Sequence, residues 1–142
     1  MKDKLKADSI TALKNHDNVR VGILRYLISL IDKKELQLPP GQMSEAEEIK
    51  VLRKELRDKE ESREMFLKGG RDDLVKESDF EIAVVKEYLP VEMGDEELEK
   101  LVDEAIGEGQ NNFGMIMKTV MTKVAGKAGG DRISVMIKKK LV

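Results

Sequence analysis

Seven cationic side chains crowd the end of the sequence: Lys118, Lys123, Lys127, Arg132, Lys138, Lys139 and Lys140. They surround the glycine-rich stretch "GKAGGD" at 126–131. Charges of this kind pair with phosphate oxygens. Glycine has no Cβ, so the backbone there can approach a phosphate closely, and helix N-termini point N–H groups toward an anion. A second reading needs no ligand, because lysines near helix C-termini offset the helix dipole. Taken alone, the residues support both.

The charge balance sharpens the question. The formal net charge is −2. Residues 1–91 are nearly neutral, with 18 basic and 19 acidic groups. Residues 92–108, "EMGDEELEKLVDEAIGE", hold eight acids and one lysine, whereas 109–142 hold seven bases and one acid. The overall balance argues against indiscriminate nucleic-acid binding, but the tail by itself suits a polyanion. The acidic segment would repel a phosphate backbone lying on its own side. It must therefore face away from the lysines, or pair with them and mask them.

Other chemistry is hard to find. There is no Cys, which excludes disulfides, thiolate metal sites and Cys nucleophiles. His16 is the sole His and falls at a helix end, where a structural role suffices. No P-loop, GxGxxG, HExxH or GxSxG pattern occurs. "GGRDD" at 69–73 reads as a cap between helices, since a phosphate cradle should follow a strand and none is predicted. The carboxylates lie on charged surfaces, and a general acid needs a desolvated pocket to raise its pKa. No catalytic residue, metal ligand or cofactor is expected. The first residues lack the continuous apolar stretch of a signal peptide, and no apolar run nears the roughly 18 residues of a membrane span. A cytoplasmic protein without membrane contact is the expectation.

The elements that must position the tail are helical. Hydrophobic residues make up 40% of the chain but aromatics only 4%, a poor composition for sheets. A first helix over about 2–15 would bury Leu5, Ile10 and Leu13. Asp17 then caps a second, with Val19, Ile23, Leu27, Leu30 and Ile31 in its stripe, stopped by "PPGQ" at 39–42. Ser44 and Glu47 form a capping box for a third helix reaching about Lys68. Its middle, "RDKEESRE", reads as a solvated surface with pairs such as Glu55–Lys59, after which Met65, Phe66 and Leu67 resume the apolar pattern. A fourth helix carries Leu74, Ile82, Val85 and Leu89. Pro90 breaks the chain, because the residue before a proline is pushed out of helix geometry. Three short helices follow, capped by Asp95, Asn112 and Asp131. Their Met115, Met117, Met121 and Met136 read mostly as core filler.

The stretches "RVGILRYLISLIDKKE", "FLKGGRDDLV", "EIAVVKEYLP" and "FGMIMKTVMTKVAGKAGGDRISVMIKKKLV" resemble the GatB/YqeY family along nearly the whole chain. The resemblance implies an all-α fold: an N-terminal bundle of about four helices at 1–91 and a three-helix domain at 92–142. A domain related to the latter forms the tail of one subunit of the tRNA-dependent amidotransferase. That enzyme converts Glu or Asp charged on tRNA to Gln or Asn, and the tail contacts the tRNA. The tail motif falls here on Gly114, Met117, Lys118, Gly126, Lys127, Val135 and Leu141. Gly114 would permit close helix packing. The implied partners are tRNA or an amidotransferase complex; the tail motif together with the basic constellation gives the expected RNA contacts as Lys118, Lys123, Gly126, Lys127, Arg132 and Lys138.

The family label, a carbon–nitrogen ligase with glutamine as amido-N donor, points to an enzyme. This chain shows no amidase Ser-rich motif, no ATP site and no channel-forming length. The expectation is a binding module without catalysis. The alternative is a protein–protein adaptor that makes no RNA contact.

Overall fold

The computed structural model describes residues 1–141. Its helices are α1 (Lys2–Lys14), α2 (Asn18–Gln37), α3 (Glu45–Lys68), α4 (Asp72–Glu87), α5 (Asp95–Gly107), α6 (Phe113–Val124) and α7 (Gly130–Leu141). No strand occurs among the described residues, and the fold is all-α as expected. Two compact units divide the chain, one over Met1–Leu89 and one from Pro90 onward. Each has its own hydrophobic core.

In the first unit, α1 lies against α2 with a different face from the expected one. Ile10 and Leu13 are 54% and 48% exposed, and the buried line is Leu5, Ser9 and Ala12. These residues recur at helical spacing, and the small ones at 9 and 12 allow close approach. The Ser9 hydroxyl donates to the Lys6 carbonyl at 2.7 Å, so its burial leaves no unpaired donor. α1 ends in a Schellman turn. The Asp17 N–H reaches the Ala12 carbonyl at 2.9 Å and the His16 N–H reaches Leu13 at 3.1 Å. His16 sits at φ 60° in that turn, so the sole His serves the backbone.

Asp17 caps α2 by accepting from the Arg20 N–H at 3.1 Å. The stripe of α2 is Val21, Leu24, Leu27 and Ile31, while Val19 points outward. The helix stops before Leu38, which is extended ahead of Pro39. Only half of the next capping box forms. Ser44 accepts from the Glu47 N–H at 3.3 Å, but the Glu47 carboxylate turns to Lys50 at 3.6 Å.

The charged middle of α3 is more than solvated surface. Lys59 reaches Glu55 at 3.3 Å and Glu81 of α4 at 2.8 Å, and Arg63 pairs with Asp79. α4 returns antiparallel to α3, which brings its acids opposite these bases. Met65 and Leu67 remain exposed, because the hairpin turn follows at once and leaves no core there. That turn is a second Schellman motif, with Gly70 at φ 71°. α4 buries Val75, Ser78, Ile82, Val84 and Val85, with Leu74 at the margin.

Tyr88 closes the edge of this core. It is 8% exposed, its hydroxyl donates to the Asp8 carboxylate, and the Lys4 ammonium lies 5.4 Å above its ring. Burial, and then the hydrogen bond and charge of Asp8, push the hydroxyl from its ordinary 10.0 up to about 12. A pKa raised on folding adds stability that is complete below the unfolded value and is lost as pH rises through the folded one. Tyr88→Phe is expected to cost about 1 kcal/mol at neutral pH. It should also remove part of the stability loss between pH 10 and 12. Denaturant titrations of both proteins across that range check this; identical pH dependence would refute it.

In the second unit, α5 contributes Leu98, Val102 and Ala105 to the core, α6 contributes Ile116, Val120 and Val124, and α7 contributes Ile133 and Ile137. Met93 and Ala128 seal it from the connecting segments. Met117, Met121 and Met136 pack against it, whereas Met115 is 59% exposed. Asn112 caps α6, accepting from Gly114 N–H at 2.8 Å and Met115 N–H at 3.4 Å. The other two expected caps fail. Gly94 precedes α5, and the Asp95 carboxylate is held by Arg132 instead. α7 begins at Gly130, two residues earlier than a cap at Asp131 would give, which places Asp131 inside its first turn.

Candidate functional site

The basic tail is folded into a three-helix unit whose charges face one another. Asp95, Glu99 and Asp103 recur every four residues along α5 and so form one stripe. Arg132 and Lys140 lie eight residues apart on α7 and match that stripe. Arg132 binds Asp95 at 2.7 Å, and Lys140 binds Glu99 at 2.7 Å and Asp103 at 3.2 Å. The N-terminal ends meet, and so do the later turns, so α5 and α7 run parallel. Hydrogen bonds to Glu99 and then Asp103 raise the Lys140 pKa, which keeps the ammonium charged. On α6, Lys123 reaches Glu108 at 3.4 Å. Of the two arrangements open to the acidic segment, pairing with the lysines is the one found for these three bases.

The remaining bases have a different setting. Lys118, Lys127 and Lys139 are exposed and make no ion pair among the described residues. Lys138 lies 5.8 Å above the ring of Phe113, also without an ion pair. These four are not gathered at one point. Lys127 stands in the turn between α6 and α7, while Lys138 and Lys139 are on the last turns of α7, roughly 12 Å farther along the helix. The cations form an extended set.

The turn itself is built as its glycines require. Ala125 and Gly126 take left-handed conformations at φ 48° and φ 81°. The Lys127 N–H donates to the Val124 carbonyl at 2.9 Å, and its carbonyl accepts from Met93 N–H at 2.6 Å. The backbone at Lys127 therefore fastens the entry segment of the unit to the turn, while its side chain is exposed. Gly114 has a local role rather than a part in helix packing. A Cβ there would lie 3.2 Å from Asn112 Oδ1, the cap oxygen that binds its N–H. Val135 is 66% exposed and Leu141 39% exposed.

Phe113 shares helical spacing with the buried Ile116, Val120 and Val124, yet it is 37% exposed and carries Lys138 over its ring. Its position directly after the Asn112 cap was the available signal. The first residue of a short helix sits at the rim of the unit rather than in its middle. The pairing acids were also legible in their four-residue spacing. Among the described residues no cluster of three or more His, Cys, Asp or Glu is arranged to hold a metal ion. No helix among them is long and apolar enough to cross a membrane.

A sequence profile of the family described as "Yqey-like protein" matches residues 2–141. The chain belongs to the Yqey-like protein family. A relative from Lachancea thermotolerans, described as "Altered inheritance of mitochondria protein 41, mitochondrial", is 31% identical over 128 residues. The match covers 87% of this chain and 68% of the relative. The resemblance drawn from the sequence is thereby borne out at the level of the Yqey-like family. The profile spans both units, so the acidic α5 and the basic α6–α7 pair are parts of one Yqey-like chain.

Proposed function

We propose that this Yqey-like protein is a tRNA-associated binding module, with α6 and α7 contacting the RNA backbone. One observation carries the reading: among the described residues, Lys118, Lys127, Lys138 and Lys139 remain exposed and without carboxylate partners beside an acidic segment that neutralises the other bases of the tail. The masking pairs are weak barriers. Asp95 is 86% exposed in its pair with Arg132, and exposed ion pairs contribute about 0–1 kcal/mol each. A phosphate could displace the carboxylates at small cost. Phe113 beneath Lys138 adds a face on which a base can stack.

The link to a tRNA-dependent amidotransferase belongs to the same proposal, as does a cytoplasmic setting. The role is that of a binder rather than a carbon–nitrogen ligase. The second reading, an adaptor between proteins, draws support from the three neutralised bases. Titrating labelled tRNA at several salt concentrations separates the two. The first reading expects modest affinity and a log–log salt slope near −3, since each neutralised phosphate contributes about −0.7 to −0.9. Absence of binding at low salt would favour the adaptor.

A further inference from the structure

The antiparallel pair α3–α4 encloses a groove of about 290 Å³ that the tail chemistry does not involve. The groove is polarised along its length. At one end, Glu55 and Glu81 hold the Lys59 ammonium. At the other, Phe66 and Leu74 provide an apolar floor. Between them stand Asp58 and Glu77. Asp58 has only Lys54, at 3.9 Å, and Glu77 has no ion-pair partner among the described residues. Negative charge therefore exceeds positive charge directly beside apolar surface.

Ser78 gives the groove a third component. It is 6% exposed and lines the groove, and its hydroxyl makes no hydrogen bond among the described residues. No fully enclosed side-chain oxygen or nitrogen is left unpaired among those residues, so this hydroxyl opens onto the groove. Polar groups in such settings are nearly always paired, and the groove is where its partner would come from. An acceptor oxygen lining the same groove as two under-compensated carboxylates suits a cation that carries N–H donors. The neighbouring Phe66 and Leu74 suit a hydrocarbon attached to it.

We propose that the α3–α4 groove binds an alkylammonium: its N–H groups face Asp58, Glu77 and the Ser78 hydroxyl, and its stem covers Phe66 and Leu74. A free polyamine and a lysine side chain of a partner present this same chemistry. The site is independent of RNA binding by the tail.

Amide spectra of the full chain, titrated with n-hexylammonium, test the proposal. Saturable shifts are expected at 55–66 and 74–81, with hexan-1-ol producing none there. Asp58→Asn combined with Glu77→Gln should weaken binding by about tenfold or more, the scale of a lost charged hydrogen bond. Ser78→Ala should weaken it about threefold or more, on the scale of a neutral hydrogen bond. Spermidine and a peptide with one Leu-flanked lysine form two further arms. Tighter binding by the first identifies a free polyamine as the source, and by the second a lysine on a partner; both support the ammonium site. Equal shifts at the acidic residues 95–104, equal shifts with hexan-1-ol, or unchanged affinity in the double carboxylate variant would each overturn it.

Discussion

Replacing Lys118, Lys127, Lys138 and Lys139 with Gln together should weaken tRNA binding by roughly a hundredfold at about 50 mM salt and flatten the salt slope by about three. All four side chains are exposed, and none makes an ion pair among the described residues. Their removal should therefore leave the fold intact while taking away the phosphate contacts. A second variant moves binding the other way. Asp95→Asn, Glu99→Gln and Asp103→Asn release Arg132 and Lys140 from the carboxylates that hold them. Affinity should then rise several-fold, and the slope should steepen by up to two contacts. The two variants together distinguish contact from mere net charge. If the lysine variant binds as the unmodified chain does, the basic residues only compensate helix dipoles. If the acid variant gains affinity without a steeper slope, α5 does not mask the α7 bases.

Leu98→Ala should abolish the ordered packing of α5, α6 and α7. Leu98 is fully buried and belongs to the cluster with Val102, Ile116, Val120, Ile133 and Ile137. A buried Leu→Ala change costs about 2–5 kcal/mol, through lost apolar transfer and the cavity it leaves. A unit of this size holds only about 3–5 kcal/mol from a single core. The substitution therefore reaches the unit's whole stability. Amide hydrogen exchange checks it: protection at 98–105, 116–124 and 133–137 should fall to near that of an open chain. Retained protection there would show that the second core is larger in energy than its size implies. Leu101→Ala is the control. Leu101 is only half-buried at the edge of the same core, and its loss should leave protection largely in place.

The sequence was most legible where the backbone made its own demands. Asp17, Ser44 and Asn112 cap helices because a side-chain oxygen followed by N–H groups left bare at a helix start is a local arrangement. Pro39 and Pro90 mark breaks for an equally local steric reason. Gly70 ends α3 because the Schellman turn needs a positive φ. The misses share a different character. Asp95 has the composition of a cap, but Arg132, 37 residues away, takes its carboxylate. Ile10 and Leu13 are apolar yet exposed, because α2 meets the side of α1 that carries Ser9 and Ala12. Small residues permit the closest helix approach, and hydrophobicity alone does not reveal which face will be used.

For the candidate site, the sequence alone determined which charges exist and how they are spaced. It put eight acids in 92–108 and seven bases in 109–142, at helical intervals. Only the tertiary structure decided which of them meet. The parallel course of α5 and α7 pairs Arg132 and Lys140 with α5, while Lys118, Lys127, Lys138 and Lys139 stay exposed and, among the described residues, without ion pairs. Periodicity fixes the angle of a side chain about its own helix axis. The partner across the gap depends on how neighbouring helices are directed and rotated, and burial of Leu98, Ile116, Ile133 and Ile137 in one core sets that arrangement.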